Sequence, residues 1–334
     1  MISRRSFGGR VPAYDDSDHY FANRFHNRLP SEMIDTDERG SLMLDFARRP
    51  RAPRPRVSLA QPELPEQASD LAATWLGHTT VLLEVGGHWV ITDPVFSERV
   101  SPSTVVGPRR LHPTPMGIDE LPQLDAVLIS HDHYDHLDVA SIEALAPTGV
   151  AFVVPLGIGA HLAAWGVPAE QIVELDWDQS HAIGDLSLTC TEARHFSGRL
   201  FARNLTLWSS WVITAGQRRV FFGGDTGYTE AFKEIGERFD GFDLTVLPVG
   251  AYDRRWADIH LDPAEAVQVH LDVRGELMLP VHWATFNLAF HAWDAPIEWT
   301  QREAGERGAR VATPRPGQRF EATDPPAEAW WRQD

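Results

Sequence analysis

The chain has 334 residues, 43% of them hydrophobic, and a formal charge of -17 at neutral pH. That is enough apolar material for a large core, while the acidity turns the long-range field against polyphosphate and anionic lipid and so disfavours a nucleic-acid partner. The single cysteine, Cys190, excludes an intrachain disulfide and suits a reducing cytoplasm.

The first 70 residues are weakly patterned. Ser3-Arg4-Arg5-Ser6-Phe7 has the look of a twin-arginine export signal, but Gly8-Gly9-Arg10 and charged residues follow where an apolar stretch is required, so export is not expected. Arg48 to Arg56 mixes arginine with proline and suits neither a helix interior nor a central strand. Residues 1–70 therefore read as an extended arm packing on the core rather than a tail for acidic partners, and residues 71–334 as one domain. No run approaches the ~20 consecutive apolar residues that cross a bilayer. A cytoplasmic chain, at most peripheral to a membrane, is expected.

Trp75–Val85 and His88–Thr92 read as a hairpin about Gly86-Gly87, and Val90-Ile91-Thr92 runs into Asp93-Pro94. Ala126–Ser130 is a short buried strand by its length and β-branched content, and it delivers His131-Asp132-His133-Tyr134-Asp135-His136 to a loop at its C-terminal end. Imidazole and carboxylate are ligands for zinc and similar divalent ions. His131 and His133 can point the same way and share one ion, while Asp135 and His136, a turn later, can face a second. Residues 141–146 read as a helix with Asp138 as a candidate N-cap.

Three further strands each run into a ligand-type residue. Leu186–Thr191 leads to His195, Arg219–Phe222 to Asp225, and Leu277–Val281 to His282. Cys190 lies within the first of these and suits a buried apolar role better than a nucleophilic one. Pro263–Leu271 reads as a helix with Asp262 as cap and Pro263 in its first turn. An apolar strand followed by such a residue thus recurs four times, which argues for one cleft at the edge of a sheet that gathers them all.

His131-x-His133-x-Asp135-His136, followed by His195, Asp225 and His282, resembles the metallo-β-lactamase superfamily. The resemblance implies an α/β (α+β) fold, the four-layer αββα sandwich. It also implies two zinc ions: His131, His133 and His195 on one, Asp135, His136 and His282 on the other, Asp225 bridging, and Asp93 supporting the ligands from behind. Iron or manganese would suit the same donors. Thr74-Trp75-Leu76-Gly77-His78-Thr79-Thr80, Gly107-Pro108-Arg109-Arg110, Leu247-Pro248-Val249-Gly250-Ala251-Tyr252, His260-Leu261-Asp262-Pro263 and His282-Trp283-Ala284-Thr285-Phe286 are similar to the N-acylphosphatidylethanolamine-hydrolysing phospholipase D branch, over about residues 70 to 295. Arg254 departs from that branch, where a proline would precede the Arg255-Trp256 pair.

This narrower likeness implies a phosphodiesterase in which a hydroxide bridging two ions about 3.5–4 Å apart attacks phosphorus, oriented by Asp135 and Asp225. His260 would contact the phosphate or protonate the leaving group, or would only neighbour the cap at Asp262. His78 would support the site or hydrogen-bond within the first hairpin. Trp256, Trp283, Phe286 and Phe290 would form an apolar wall for an acyl chain, and Tyr252 would contact the headgroup or be buried in the sheet. The partners implied are a small-molecule or phospholipid substrate, a membrane surface met peripherally, and a second copy in a homodimer. Two alternatives stand beside this reading. One is a lactonase resembling the ascorbate-phosphate lactonase-like proteins; the other is a non-catalytic metal-dependent sensor, disfavoured because it would have no need of the full ligand set.

Overall fold

The strands of the first half of the chain carry apolar side chains on both faces, as strands covered on both sides must. A computed structural model describes residues 14, 16–31, 57–103, 105–199 and 202–332. The export-like motif at residues 3–7 and the basic run at 48–56 lie outside the described residues. A short hairpin, β1 (Tyr20–Phe21) and β2 (Arg24–Phe25), precedes the sheets. The first sheet takes β3 (Leu71–Gly77), β4 (Thr80–Val85), β5 (His88–Thr92), β6 (Ala126–Leu128), β7 (Ala151–Pro155) and β8 (Ile172–Leu175) in that order, with β15 (Arg319–Glu321) at the outer edge of β3. Pairing is antiparallel as far as β5 and parallel from β5 to β8.

Side chains alternate between two cores with the period of a strand. Val81, Leu83, Val90, Ala126, Leu128 and Val153 pack with the second sheet, whereas Leu82, Ile91, Val127, Phe152 and Val154 pack with the helices Val139–Leu145 and Gly159–Ala164 through Ile142, Leu145 and Leu162. The second sheet takes β9 (Ser180–Ile183), β10 (Leu186–Thr191), β11 (Ser210–Ala215), β12 (Arg218–Phe222), β13 (Phe242–Pro248) and β14 (Gly275–Val281), antiparallel up to β12 and parallel beyond it. Phe232, Ile235, Val267, Val269, Ile297 and Ala304, from the helices Ala231–Arg238, Pro263–Asp272 and Ala295–Arg307, close its outer face. The layers are helix, sheet, sheet, helix, the sandwich that the resemblance implies. Among the described residues no helix is long and apolar enough to cross a membrane.

Three local readings need correction or refinement. Trp75–Val85 is two strands, not one: Gly77 (φ +106°) and His78 (φ +53°) take left-handed backbone and fold β3 back onto β4. The helix read at 141–146 spans Val139–Leu145, and Asp138 holds the N-cap position without capping. Its carboxylate accepts instead from the amides of Phe96 (3.3 Å) and Ser97 (3.1 Å) and from the hydroxyls of Ser97 (2.7 Å) and Ser141 (2.6 Å), tying the loop after β5 to the helix. At Pro263–Asp272 the cap is as read: Asp262 accepts from Glu265 N at 2.9 Å, and Glu265 returns to Asp262 N at 3.1 Å. Cys190 is fully buried, and burial pushes its thiol up.

The loops that leave β5, β6, β12 and β14 meet at one end of the sandwich. Asp93 N donates to Leu128 O (2.8 Å), Ser209 N to Ser130 O (2.9 Å), Trp211 Nε1 to Ile129 O (3.0 Å) and His282 N to His78 O (3.0 Å). At Gly224 (φ +58°) a Cβ would stand 2.6 Å from that of Ser130, so only glycine lets the β12 loop lie against the β6 loop.

Candidate metal centre

Nine side chains from six segments converge where those loops meet. The Nε2 of His131 lies 2.8 Å from Nδ1 of His133, which lies 3.3 Å from Nε2 of His195. Beside this trio, Asp225 Oδ2 stands 3.1 Å from His136 Nε2, 3.3 Å from His282 Nε2, 4.0 Å from His195 Nε2 and 3.8 Å from His260 Nδ1. Asp135 Oδ2 lies 3.5 Å from His136 Nε2, 3.6 Å from His282 Nε2 and 3.0 Å from His78 Nε2. The donor atoms fall into two adjoining sets, His131, His133 and His195, and His78, Asp135, His136 and His282, while Asp225 groups with His131 and His136 and also with His195 and His260. Asp93 (φ 35°), His78 (φ 53°) and His282 (φ 65°) are carried on backbone that residues other than glycine seldom adopt. Such conformations persist where the surrounding structure over-determines them.

Outer partners aim the rings. His136 Nδ1 is 2.7 Å from Asp93 Oδ2, and Asp93 in turn accepts from Ser130 N and Ser130 Oγ, both at 2.7 Å. His195 Nδ1 donates to Ile259 O at 2.8 Å, and His131 Nδ1 lies 2.9 Å from Ser130 Oγ. In each case the other ring nitrogen is left facing the centre, as in carboxylate–histidine–metal arrangements. Ser130 and the Ile259 carbonyl were not singled out from the sequence; the one available signal was that Ser130 sits at the strand end immediately before the histidine motif.

The donor set suits cations. Burial, reinforced by neighbouring imidazoles, pushes His131 and His195 well below 6.5, the neutral state that ligation requires. In the second set burial opposes charge but the acid–imidazole contacts prevail: His282 is carried up to about 9 by Asp225 and Asp135, and both acids stay well below the usual carboxylate range. Among the described residues, none gives a hydrogen bond to His136 Nε2, His282 Nε2 or Asp225 Oδ1, all of them buried. Buried polar atoms seldom remain unsatisfied, and here a bound cation is the partner their chemistry calls for.

The remaining candidates divide. His260 enters the centre, its ring 5.2 Å from that of His195 and 5.7 Å from that of His282, and it also lies two residues before the Asp262 cap. Phe286 packs with Val95 and Val100, its ring 5.2 Å from His78. Trp256 packs with Ala251, Ile259 and Ala289 against Phe196, Leu288 and Phe290, and Phe196 lies 4.4 Å from the His133 ring. Trp283 stands apart from that wall: it is 3% exposed, stacks on Trp75 (5.4 Å) and Trp330 (5.2 Å), and donates to Pro280 O, so it belongs to the inter-sheet core. Tyr252 is half-buried and stacked on His291 at 4.5 Å. At the departure Arg254, the turn Arg254–Trp256 is held by Asp253, which accepts from Arg255 N at 3.0 Å, so no proline is needed there.

Residues 88–283 match the family model for the beta-lactamase superfamily domain. An uncharacterized protein of Mycobacterium tuberculosis is 48% identical over 328 residues, which cover 95% of this chain and 88% of that one. N-acyl-phosphatidylethanolamine-hydrolyzing phospholipase D 1 of Caenorhabditis elegans is 39% identical over 231 residues, 65% of each chain. Among solved structures, isothiocyanate hydrolase from Delia radicum gut bacteria superposes with a TM-score of 0.60 at 19% identity, covering 75% of this chain and 99% of that one, and shares the fold.

Proposed function

Taking as premise that this chain belongs to the beta-lactamase superfamily, where it falls among the metal-dependent hydrolases, we propose that it is a dinuclear phosphodiesterase of phospholipase D type. Its substrate is N-acylphosphatidylethanolamine or a related phosphodiester. The observation that carries this is the position of Asp225 Oδ2, within 4.0 Å of His260 and of three imidazoles drawn from both donor sets. His131, His133 and His195 would hold one zinc and Asp135, His136 and His282 the other, with Asp225 available to both. When bound, two such ions activate a shared water at neutral pH and stabilise the charge that develops on phosphoryl oxygens.

The chain's own residues do the rest. Asp135 and Asp225 accept from the attacking water and orient it for in-line displacement. Burial pushes His260 down to about 4 against the pull of Asp225, so it meets the substrate neutral. A neutral imidazole there donates a hydrogen bond to a non-bridging oxygen more readily than it protonates a leaving group. The clusters around Trp256 and Phe286, joined through Leu288, flank the donors with apolar surface of the kind an acyl chain would occupy. The Caenorhabditis elegans relative, whose printed name specifies this substrate, supports the choice.

Zinc-loaded protein assayed against N-acylphosphatidylethanolamine, bis-p-nitrophenyl phosphate and a panel of lactones tests the proposal. Release of phosphatidic acid and the N-acylethanolamine is expected, with a loss of about 1000-fold or more in Asp225→Asn and in His133→Ala, on the scale of removing a group that stabilises transition-state charge. Turnover of lactones alone would transfer the assignment to the lactonase reading.

A further inference from the structure

β10 ends at Thr191, so the residues that carry His195 leave the sheet with backbone groups that still need partners. On one side the Asp225 loop supplies them: Arg194 N donates to Thr226 Oγ1 at 2.9 Å, and Gly227 N donates to Arg194 O at 2.8 Å. The next residue in an extended chain faces the other way, and among the described residues no strand lies there. The side-chain amide of Asn27 fills the place. Its Nδ2 donates to His195 O at 2.8 Å and its Oδ1 accepts from His195 N at 3.2 Å, the two-bond exchange that a peptide of a neighbouring strand would make.

Asn27 is itself held in one orientation. Oδ1 also accepts from Trp208 Nε1 at 2.8 Å, while Nδ2 donates to Ser31 Oγ at 2.9 Å, which fixes which end of the amide faces which group. The segment around it is anchored by Phe25, fully buried against Tyr14 and Tyr20 with ring centroids 5.4 and 4.9 Å away. Arg194 Nη2 donates to Pro30 O at 2.7 Å, and Arg28 pairs with Glu192 at 3.0 Å. His195 is therefore fixed at three points, its Nδ1 by Ile259 and its main-chain N–H and C=O by a side chain 168 residues away. That side chain lies outside the stretch matched by the family model, residues 88–283.

We infer that Asn27 is a positioning residue of the metal centre: by pairing with the main chain of His195 it sets Nε2 of that ring against His131 and His133. The inference rests on the metal-centre reading proposed above. Asn27 touches no donor atom and acts only through His195. Outer partners of ligating histidines change metal affinity about 10–100-fold, and the effect here falls on the ion of the three-histidine set, leaving the other ion in place.

Full-length protein loaded with cobalt(II) gives two readouts besides turnover, the chelator concentration that strips each equivalent and the visible ligand-field spectrum. Asn27→Ala is expected to release one of two equivalents at a chelator concentration lower by about 10-fold or more, with a changed cobalt band and a metal-free thermal midpoint close to the parent's. Trp208 keeps its second acceptor, Ala193 O at 3.0 Å, in that variant. Asn27→Asp, which retains the acceptor but loses the donor, is expected to fall between, and it serves should the alanine variant fail to fold. Arg28→Ala removes the ion pairs of the same segment with Glu192 and Asp178, leaves the Asn27 bonds in place, and is expected to retain metal like the parent. Equal retention by parent and both Asn27 variants would overturn this inference alone, as would release from Arg28→Ala as easy as from Asn27→Ala. A parent that binds no cobalt would overturn the metal-centre reading and this inference with it.

Discussion

At the scale of single residues the centre depends on where a Cβ is missing as much as on the ligands. Gly224 precedes Asp225, and its backbone passes so near Ser130 that an added methyl would sit 2.6 Å from the serine Cβ and 2.8 Å from Ser209 O. Ser130 holds Asp93, and Asp93 holds His136, so the displacement would travel along hydrogen bonds of 2.7 Å into the donor set. Gly224→Ala is therefore expected to cost about 1–3 kcal/mol from overpacking, with further strain from the left-handed φ. It should lower the midpoint of urea unfolding and the metal content after dialysis together; a variant with parental midpoint and metal content would show that the loops part freely. The cluster of candidate donors was legible because six residues of sequence bring three imidazoles and a carboxylate to one loop. Asn27 gave no such sign, since its pairing is with main chain far along the sequence, whereas His78, read as supporting the site, lies 3.0 Å from Asp135 on a turn that was read as strand.

At the scale of elements, caps and turns govern how well the loops are held. The helix Pro263–Asp272 begins with a reciprocal Asp262–Glu265 cap, and the residues just before it, Ile259 and His260, face the centre. Removing the cap in Asp262→Ala is expected to cost about 1 kcal/mol and to loosen Ile259, whose carbonyl orients His195. The unfolding midpoint in urea should fall with the slope unchanged, and turnover and metal retention should fall with it; an unaltered midpoint would contradict the cap's role. Strands β6, β12 and β14 were legible because buried strands of this length carry near-continuous apolar runs, and β10 because its residues alternate. Asp138 was read as a cap from its position before a helix, but neighbouring amides and hydroxyls from the loop after β5 offered its carboxylate more bonds than the helix end did. Local sequence cannot reveal that competition, because the competing donors arrive only with the tertiary fold.

At the scale of the whole molecule the two sheets are tied at both ends. Far from the metal centre, His88 of β5 lies 3.2 Å from Asp125 and 2.8 Å from Asp185, the latter in the turn between β9 and β10. These two acids raise the His88 pKa above its ordinary 6.5 despite the opposing effect of burial. A group whose pKa is higher folded than unfolded stabilises below its unfolded value, and loses that contribution as pH rises through the folded one. His88→Gln should therefore reduce the thermal midpoint more at about pH 5 than at about pH 9, both bracketing the ordinary histidine range. An equal reduction at both would dismiss the inter-sheet ion pair. The layered architecture itself came from the family resemblance rather than from periodicity, which fixes which face of a strand is buried but not which sheet a strand joins.

The division of donors between layers carries one more implication. Asp93 and the histidine motif hang from the first sheet, while His195, Asp225 and His282 hang from the second, so neither half of the chain owns a whole set. Cations seated there would act as rivets through the seam. Whatever loosens the sandwich would then empty the centre, and whatever empties the centre would unfasten the sandwich, so that catalytic competence and the cohesion of the two halves rise and fall as one quantity.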